Sequence, residues 1–395
     1  MTLAAGIDTA ESAFAAARDL AERFAASAAD RDRDRRLPHA EVEFLSDAGL
    51  FALTVPVRFG GPDLPPSAVA EVFRILATVD SSLAQIPHSH YVYLTALRLA
   101  APEHLQRSVF ERVLDGGRIA NAQSEKGGRT VADIATTLTR TPDGARLRGE
   151  KFYCTGSPFA HILAVLARDA DTDEQLIAFV AADTPGITIV DDWNGLGQRT
   201  TGSGTVRFDD VAVPGDAVIA RSAAVTEPTG YGAFAQLLHA AIDTGIARGA
   251  LDAAAEFVRT RSRPWFEAGV DRAQDDPLLI QRFGELTVTV RAAEAALTVA
   301  AAAVDSAFVE PDPVHAAEAS LAVATAKALA DRAATEVPAA LFEVSGTRSA
   351  GGDLGLDRFW RDARTHTLHD PVRYKVWHLG RHTLGRIDPP LHGVL

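Results

Sequence analysis

The residues best suited to moving a proton near neutral pH lie close to the end of the chain. His366 and His369 stand three apart in Thr365-His366-Thr367-Leu368-His369-Asp370-Pro371. On one helical turn, side chains at that spacing project to the same side. An imidazole pair placed so can hold or donate a proton. The plainer alternative is a pair of satisfied structural histidines among the twelve in the chain. Asp370 before Pro371 reads as the N-cap of the last helix, because proline suits the first helical position. A carboxylate committed to capping is a poor base. His90, in Pro87-His88-Ser89-His90-Tyr91, stands between two helical runs and alone reads as structural or exposed. The single cysteine, Cys154, excludes an internal disulfide and a cysteine zinc site, and no metal site is expected. Gly195-Leu196-Gly197 lacks the third glycine of the dinucleotide fingerprint and lies between expected strands.

These residues need elements to position them, and the chain changes texture twice. Residues 1–118 read as helical, with Asp8 and Glu11 as a capping box for the first helix. The alternating run Arg31-Asp32-Arg33-Asp34-Arg35-Arg36 reads as a solvated face. Residues 119–225 carry short β-rich runs at 146–155, 162–168, 175–181, 186–190 and 205–208. They read as a small antiparallel barrel or sandwich. Residues 226–395 return to long, alanine-rich helical runs at 234–261, 277–307, 314–345 and 371–384, the pattern of a helix bundle. The fold class expected is α+β: an N-terminal helical domain, a middle β-barrel domain and a C-terminal four-helix bundle.

The chain has 395 residues, too many for one ordinary core, and a net charge of −13. An acidic protein is a poor partner for nucleic acid or anionic membrane surfaces. No stretch reads as a bilayer span or a signal peptide, so a cytoplasmic location is expected.

Three stretches resemble the acyl-CoA dehydrogenase family in the right order. They are Asn121-Ala122-Gln123-Ser124-Glu125-Lys126-Gly127-Gly128, the run from Gly195 through Arg199 and Asp209-Asp210-Val211 to Pro214, and Arg361-Asp362-Ala363-Arg364. Many members carry a glutamate-glycine pair after the third stretch as the catalytic base, where this chain has Asp370-Pro371. The histidine pair, the Lys151–Gly156 stretch and Gln198-Arg199 resemble instead a branch that uses reduced flavin and oxygen. That branch includes the dibenzothiophene monooxygenases and the sulfur-acquisition oxidoreductases of alkylsulfone metabolism.

The resemblance implies a two-component monooxygenase acting on a small organosulfur compound through a flavin C4a-peroxide. FMN would arrive reduced from a separate flavin reductase. The alternative is an FAD-dependent acyl-CoA dehydrogenase with a displaced base, and a third reading is a catalytically silent scaffold. The family's architecture implies a homotetramer. By the same resemblance, His366, His369, His90, Thr155 and Asn121 are candidate catalytic residues. Asn121, Gln123, Ser124, Thr155, Trp193, Arg199, Ser203 and His369 would bind the flavin, and Arg263 and Arg348 would hold its phosphate. His88 is a weaker candidate than His90. Cys154 reads as buried packing and Glu125-Lys126 as a solvated turn.

Overall fold

The computed structural model describes residues 6–130 and 132–392. The ends of the expected first and last domains therefore lie outside the described residues. Six helices come first: α1 (Ala10–Asp34), α2 (His39–Asp47), α3 (Pro66–Ala77), α4 (Ser81–Gln85), α5 (His88–Ala100) and α6 (Glu103–Leu114). Eight strands follow: β1 (Ile119–Ala122), β2 (Thr137–Thr141), β3 (Gly144–Lys151), β4 (Ile162–Asp169), β5 (Gln175–Ala181), β6 (Ile187–Val190), β7 (Thr205–Val213) and β8 (Val218–Ala220). The chain then returns to helix: α7 (Ser222–Val225), α8 (Tyr231–Thr260), α9 (Pro277–Val309), α10 (Pro313–Ser345), α11 (Asp357–His366) and α12 (Val372–Gly385).

The β region departs from the expected antiparallel barrel. The sheet runs β6-β7-β3-β2-β4-β5-β8, and it is mixed. Both β1 and β2 pair parallel to one edge of β4, with Asn121 opposite Ala164 and Thr137 opposite Arg168. Single runs of apolar residues carry burial but not strand direction, so the parallel pairings were not visible in the sequence.

In the helical regions the long alanine-rich runs bury small faces and allow close approach. Gly249 of α8 lies where an added Cβ would sit 2.0 Å from the Thr78 carbonyl oxygen, and Gly245 meets that of Arg74 at 2.4 Å. This contact brings α8 against the end of α3 and the start of α4. Asp80 caps α4 through the N–H groups of Ser82 and Leu83.

The structure corrects four expectations. The first helix is capped by Thr9 with Ser12, not by Asp8 with Glu11. The run at 31–36 is not simply solvated. Arg31 is fully buried and bridges Glu41 at 2.9 Å and Asp80 at 2.8 Å. Asp32 binds Arg361, and Arg35 reaches Asp191 and donates to the Trp193 carbonyl. Charge alternation hides such pairs, because the partners are distant in sequence. Glu125 is likewise no solvated turn: it pairs with buried Lys151 at 2.6 Å and accepts from the N–H groups of Ala135 and Thr136. Finally, α9 is long and apolar enough, by length and composition, to cross a membrane. It packs on α8 and α10, buries Leu286, Val290, Ala293 and Leu297, and leaves Leu278, Ile280, Val288 and Val299 exposed.

Candidate active site

Four histidines from four parts of the chain meet at the junction of α4, α5, α8 and α11. His239 of α8 is at the centre. Its ring stacks on His88 of α5 at 4.0 Å between centroids and lies 3.9 Å from the ring of His369. Its Nδ1 is 3.0 Å from Nε2 of His366. His366 closes α11, and its Nδ1 lies 2.6 Å from Oδ1 of Asp243, one turn beyond His239 on α8. The other Asp243 oxygen receives Lys327 of α10 at 2.7 Å. Gln85, the last residue of α4, comes within 3.1 Å of His366 Nε2. His88, His239 and His366 are buried, whereas His369 is exposed. The cluster therefore has one open side.

Burial sets the charge of His88 and His239. His239 is held well below the ordinary histidine value by loss of solvent first, and then by its histidine neighbours and Lys327. Burial likewise lowers His88 to about 3, despite a hydrogen bond between its Nε2 and the Ala235 carbonyl. Burial alone would raise Asp243, but Lys327 and His366 outweigh it and hold the carboxylate low, so it is ionised.

Asp370 is not the cap expected from the sequence. Pro371 occupies the N-cap of α12 without a side-chain cap bond. The Asp370 carboxylate is buried, pairs with Lys375 at 2.7 Å and lies 3.5 Å from His369 Nδ1. Burial would raise it, but His369 and the two lysines hold it well below the usual carboxylate range. His366 and His369 both reach His239, though not as one helical turn: His369 lies past the end of α11 and comes to His239 from the following turn.

The sheet adjoins this junction. Gly156 lies against the Ile86 carbonyl, where a Cβ would come to 3.3 Å, so the turn after β3 touches the segment just ahead of His88. Thr155 in this turn begins a hydroxyl chain. Its Oγ1 is 2.8 Å from Ser203 Oγ, which is 2.6 Å from Thr201 Oγ1, which donates to the Gln198 carbonyl at 3.1 Å. With Thr201 donating outward, Ser203 donates to Thr201 and Thr155 to Ser203. Thr155 is then left with free lone pairs. Asn121 on β1 has a buried Oδ1 with no hydrogen-bond partner among the described residues. Trp193 Nε1 also donates to the Gln198 carbonyl, and its ring meets Tyr153 edge-on at 6.1 Å. Arg199 is half-buried and makes no hydrogen bond or ion pair among the described residues.

The loop holding these groups is bolted to α11. Gln198 N–H donates to Asp362 at 2.6 Å, Gly197 N–H to Thr365 at 2.8 Å, and Ser81 also donates to Asp362. Burial, with Asp32 nearby, pushes Asp362 up to about 7. Gln123 accepts from Tyr93 at 3.1 Å, and Ser124 pairs with Phe152 through the backbone.

Three candidates fall outside this junction. His90 is a satisfied core histidine. Its Nδ1 accepts from Ile119 N–H at 3.0 Å, so its proton is on Nε2, which donates to the Phe51 carbonyl at 2.7 Å. His88 takes the place in the cluster expected for His90. Arg263 and Arg348 are exposed beyond the C-terminal ends of α8 and α10, with Arg348 donating to the Arg261 carbonyl. Along α8, Thr260 is about 30 Å from His239 at 1.5 Å per residue. One flavin mononucleotide does not span that distance. The reading from sequence missed His239, Asp243, Lys327 and Gln85. The only signal was polar residues inside apolar helices: His239 and Asp243 one turn apart in α8, and Lys327 among the alanines of α10.

Models of the acyl-CoA dehydrogenase N-terminal, middle and C-terminal domains match residues 8–117, 120–211 and 237–374. A dibenzothiophene monooxygenase of Rhodococcus qingshengii is 35% identical over 385 residues, covering 94% of this chain and 92% of the relative. A probable FMNH2-dependent monooxygenase of Pseudomonas putida is 33% identical over 386 residues, covering 95% and 96%. FMN-bound TdsC from Paenibacillus sp. A11-2 superposes with a TM-score of 0.93 at 32% identity, over 97% of this chain and all of that one. The chain belongs to the acyl-CoA dehydrogenase family, in the branch that holds the flavin-dependent dibenzothiophene monooxygenases.

Proposed function

We propose that the protein is a reduced-flavin-dependent monooxygenase that transfers one oxygen atom from O2 to a small organosulfur compound. The observation that carries this reading is the four-histidine cluster. It stands where a dehydrogenase of this fold needs a free carboxylate base. The two carboxylates that touch it, Asp243 and Asp370, are each tied to a lysine. That pairing argues against the dehydrogenase alternative with FAD.

The residues present fit FMN. The orphaned Asn121 Oδ1 and the lone pairs of Thr155 are acceptors, and N5–H of a reduced flavin is a donor. Trp193 would stack on the ring system. Arg199, a half-buried cation without a partner among the described residues, would meet negative charge on the flavin. Gln123 and Ser124 would line the same edge. When bound, reduced flavin supplies the two electrons that split O2 between product and water. The chain's own work is to keep water out and to manage the proton that the departing oxygen needs. His369, the exposed member, faces the ligand, and His88 and His239 hold the wall behind it.

The relatives' names support FMN as the cofactor, and a separate reductase would supply it, because this chain shows no nicotinamide fingerprint. We read the assembly as a homotetramer in the cytoplasm, with 1–118, 119–225 and 226–395 as the three units of each chain. The exposed apolar side chains of α9 suit burial between copies, and Arg263 and Arg348 would reach the phosphate of a neighbouring copy's flavin. Anaerobic titration with photoreduced FMN tests the reading. Binding is expected to weaken several-fold in Thr155→Val, which loses a neutral hydrogen bond, and at least about tenfold in Arg199→Ala, which loses one between charged groups. Tight FAD that bleaches on adding an acyl-CoA would overturn it.

A further inference from the structure

Two lysine–aspartate–histidine chains run into His239. One is Lys327, Asp243 and His366, with contacts of 2.7 and 2.6 Å. The other is Lys375, Asp370 and His369, with contacts of 2.7 and 3.5 Å. The first is complete in hydrogen-bond geometry and fully buried: neither Lys327 nor Asp243 exposes any side-chain surface. Resting on the monooxygenase reading, we propose that Asp243 and Lys327 are positioning residues for the site's proton supply. They fix His366 with its proton on Nδ1, so that Nε2 is the nitrogen presented to His239.

Donors and acceptors decide the tautomer. An ionised carboxylate only accepts, so the imidazole nitrogen 2.6 Å from Asp243 must carry hydrogen. His366 Nε2 is then the exchanging nitrogen: it accepts from His239 Nδ1–H at 3.0 Å, and when it carries a proton Gln85 Oε1, 3.1 Å away, can accept from it. A proton taken up on His239 Nε2 sends the Nδ1 proton of His239 across to His366 Nε2, where the imidazolium rests against ionised Asp243. In the return step His366 Nε2–H gives that proton back to His239 Nδ1, and His239 releases the one on its Nε2. No bond between heavy atoms changes. Lys327 keeps Asp243 ionised beside three other histidines. Stability alone does not explain such a pair. A buried ion pair is often no better than an apolar pair of the same volume, because desolvation offsets the attraction. The charged and titratable groups facing His366 and the pair are His239 from α8, His88 from α5, Lys327 and Asp331 from α10, Arg364 from α11, and His369, Asp370 and Lys375 around the start of α12.

The test uses full-length, flavin-free protein labelled with 15N-histidine, read by magic-angle-spinning NMR. Wild-type His366 is expected to be protonated at Nδ1. Asp243→Asn, which is nearly isosteric and offers a donor, is expected to move the proton to Nε2. Asp243→Leu/Lys327→Met removes both charges and is expected to leave a mixture of the two tautomers. In both variants the pH profile of product formed per oxygen consumed should shift, while affinity for reduced FMN stays within about twofold. A wild-type tautomer and an unchanged pH profile in either folded variant would overturn the proposal. The tautomer is read without flavin, so it decides how His366 is held even if the monooxygenase reading fails. A working monooxygenase with an indifferent tautomer would sink the positioning role alone.

Discussion

His90 gives both ring nitrogens to the backbone, whereas His88, two residues earlier, gives one and stacks a face of its ring on His239. The two should respond differently to removal. His90→Ala strands a buried N–H at Ile119 and a buried carbonyl at Phe51, and empties a core site. It is expected to cost about 3 kcal/mol or more in chemical denaturation, with coupling intact in the folded fraction. His239→Ala and His369→Ala are expected to bind reduced FMN and consume oxygen but to lose product about 10²-fold, with hydrogen peroxide rising to match. Full coupling in stable variants would remove these histidines from the chemistry. Burial lowers His88, His90 and His239 below their unfolded value, so between that value and the folded one the unfolded chain binds more protons. Stability must then fall as pH drops from about 6.5 toward about 4, by up to about 1.4 kcal/mol per pH unit for each histidine. Urea titrations at several pH values check this, and His90→Ala should flatten the slope. The His366–His369 pair was legible because it is local. His239 and Asp243 were not, because a polar residue in a long apolar helix gives no sign of what faces it.

The loop from Trp193 to Ser203 works as a bracket between the sheet and α11. Gly197 lies where a Cβ would come 2.1 Å from the Arg361 carbonyl oxygen, and the Gly195 position leaves no room beside the Trp193 indole. Gly197→Ala is expected to lift the bracket off Asp362. Stability should fall by about 1–3 kcal/mol and FMN affinity at least about tenfold, seen by thermal melting and flavin titration. A variant with wild-type affinity would show that the loop's seat on α11 does not position the site. Element type followed directly from periodicity: the expected runs at 162–168, 175–181 and 277–307 lie within β4, β5 and α9. Pairing did not, because strand direction and the burial of Arg31 depend on partners dozens of residues away.

Across the whole molecule, two features point beyond one chain. Exposed apolar side chains of α9 face outward, and Arg263 and Arg348 follow the ends of α8 and α10, where Thr260 is about 30 Å along α8 from His239. The proposed tetramer would answer both, and sedimentation should then give a particle of four 41.9 kDa chains. Arg263→Ala or Arg348→Ala should weaken FMN binding at least about tenfold without changing the histidine cluster. Monomeric protein that binds FMN at full affinity would contradict the shared site. Oxygen transfer from O2, on which the whole reading rests, can be measured directly. The protein is given photoreduced FMN, 18O2 and a panel of sulfides, sulfoxides and sulfones, and the products are weighed by mass spectrometry. A monooxygenase places one 18O atom in the product at each oxygenation and the other in water. Products free of 18O, together with anaerobic turnover of an acyl-CoA with an artificial electron acceptor, would contradict it.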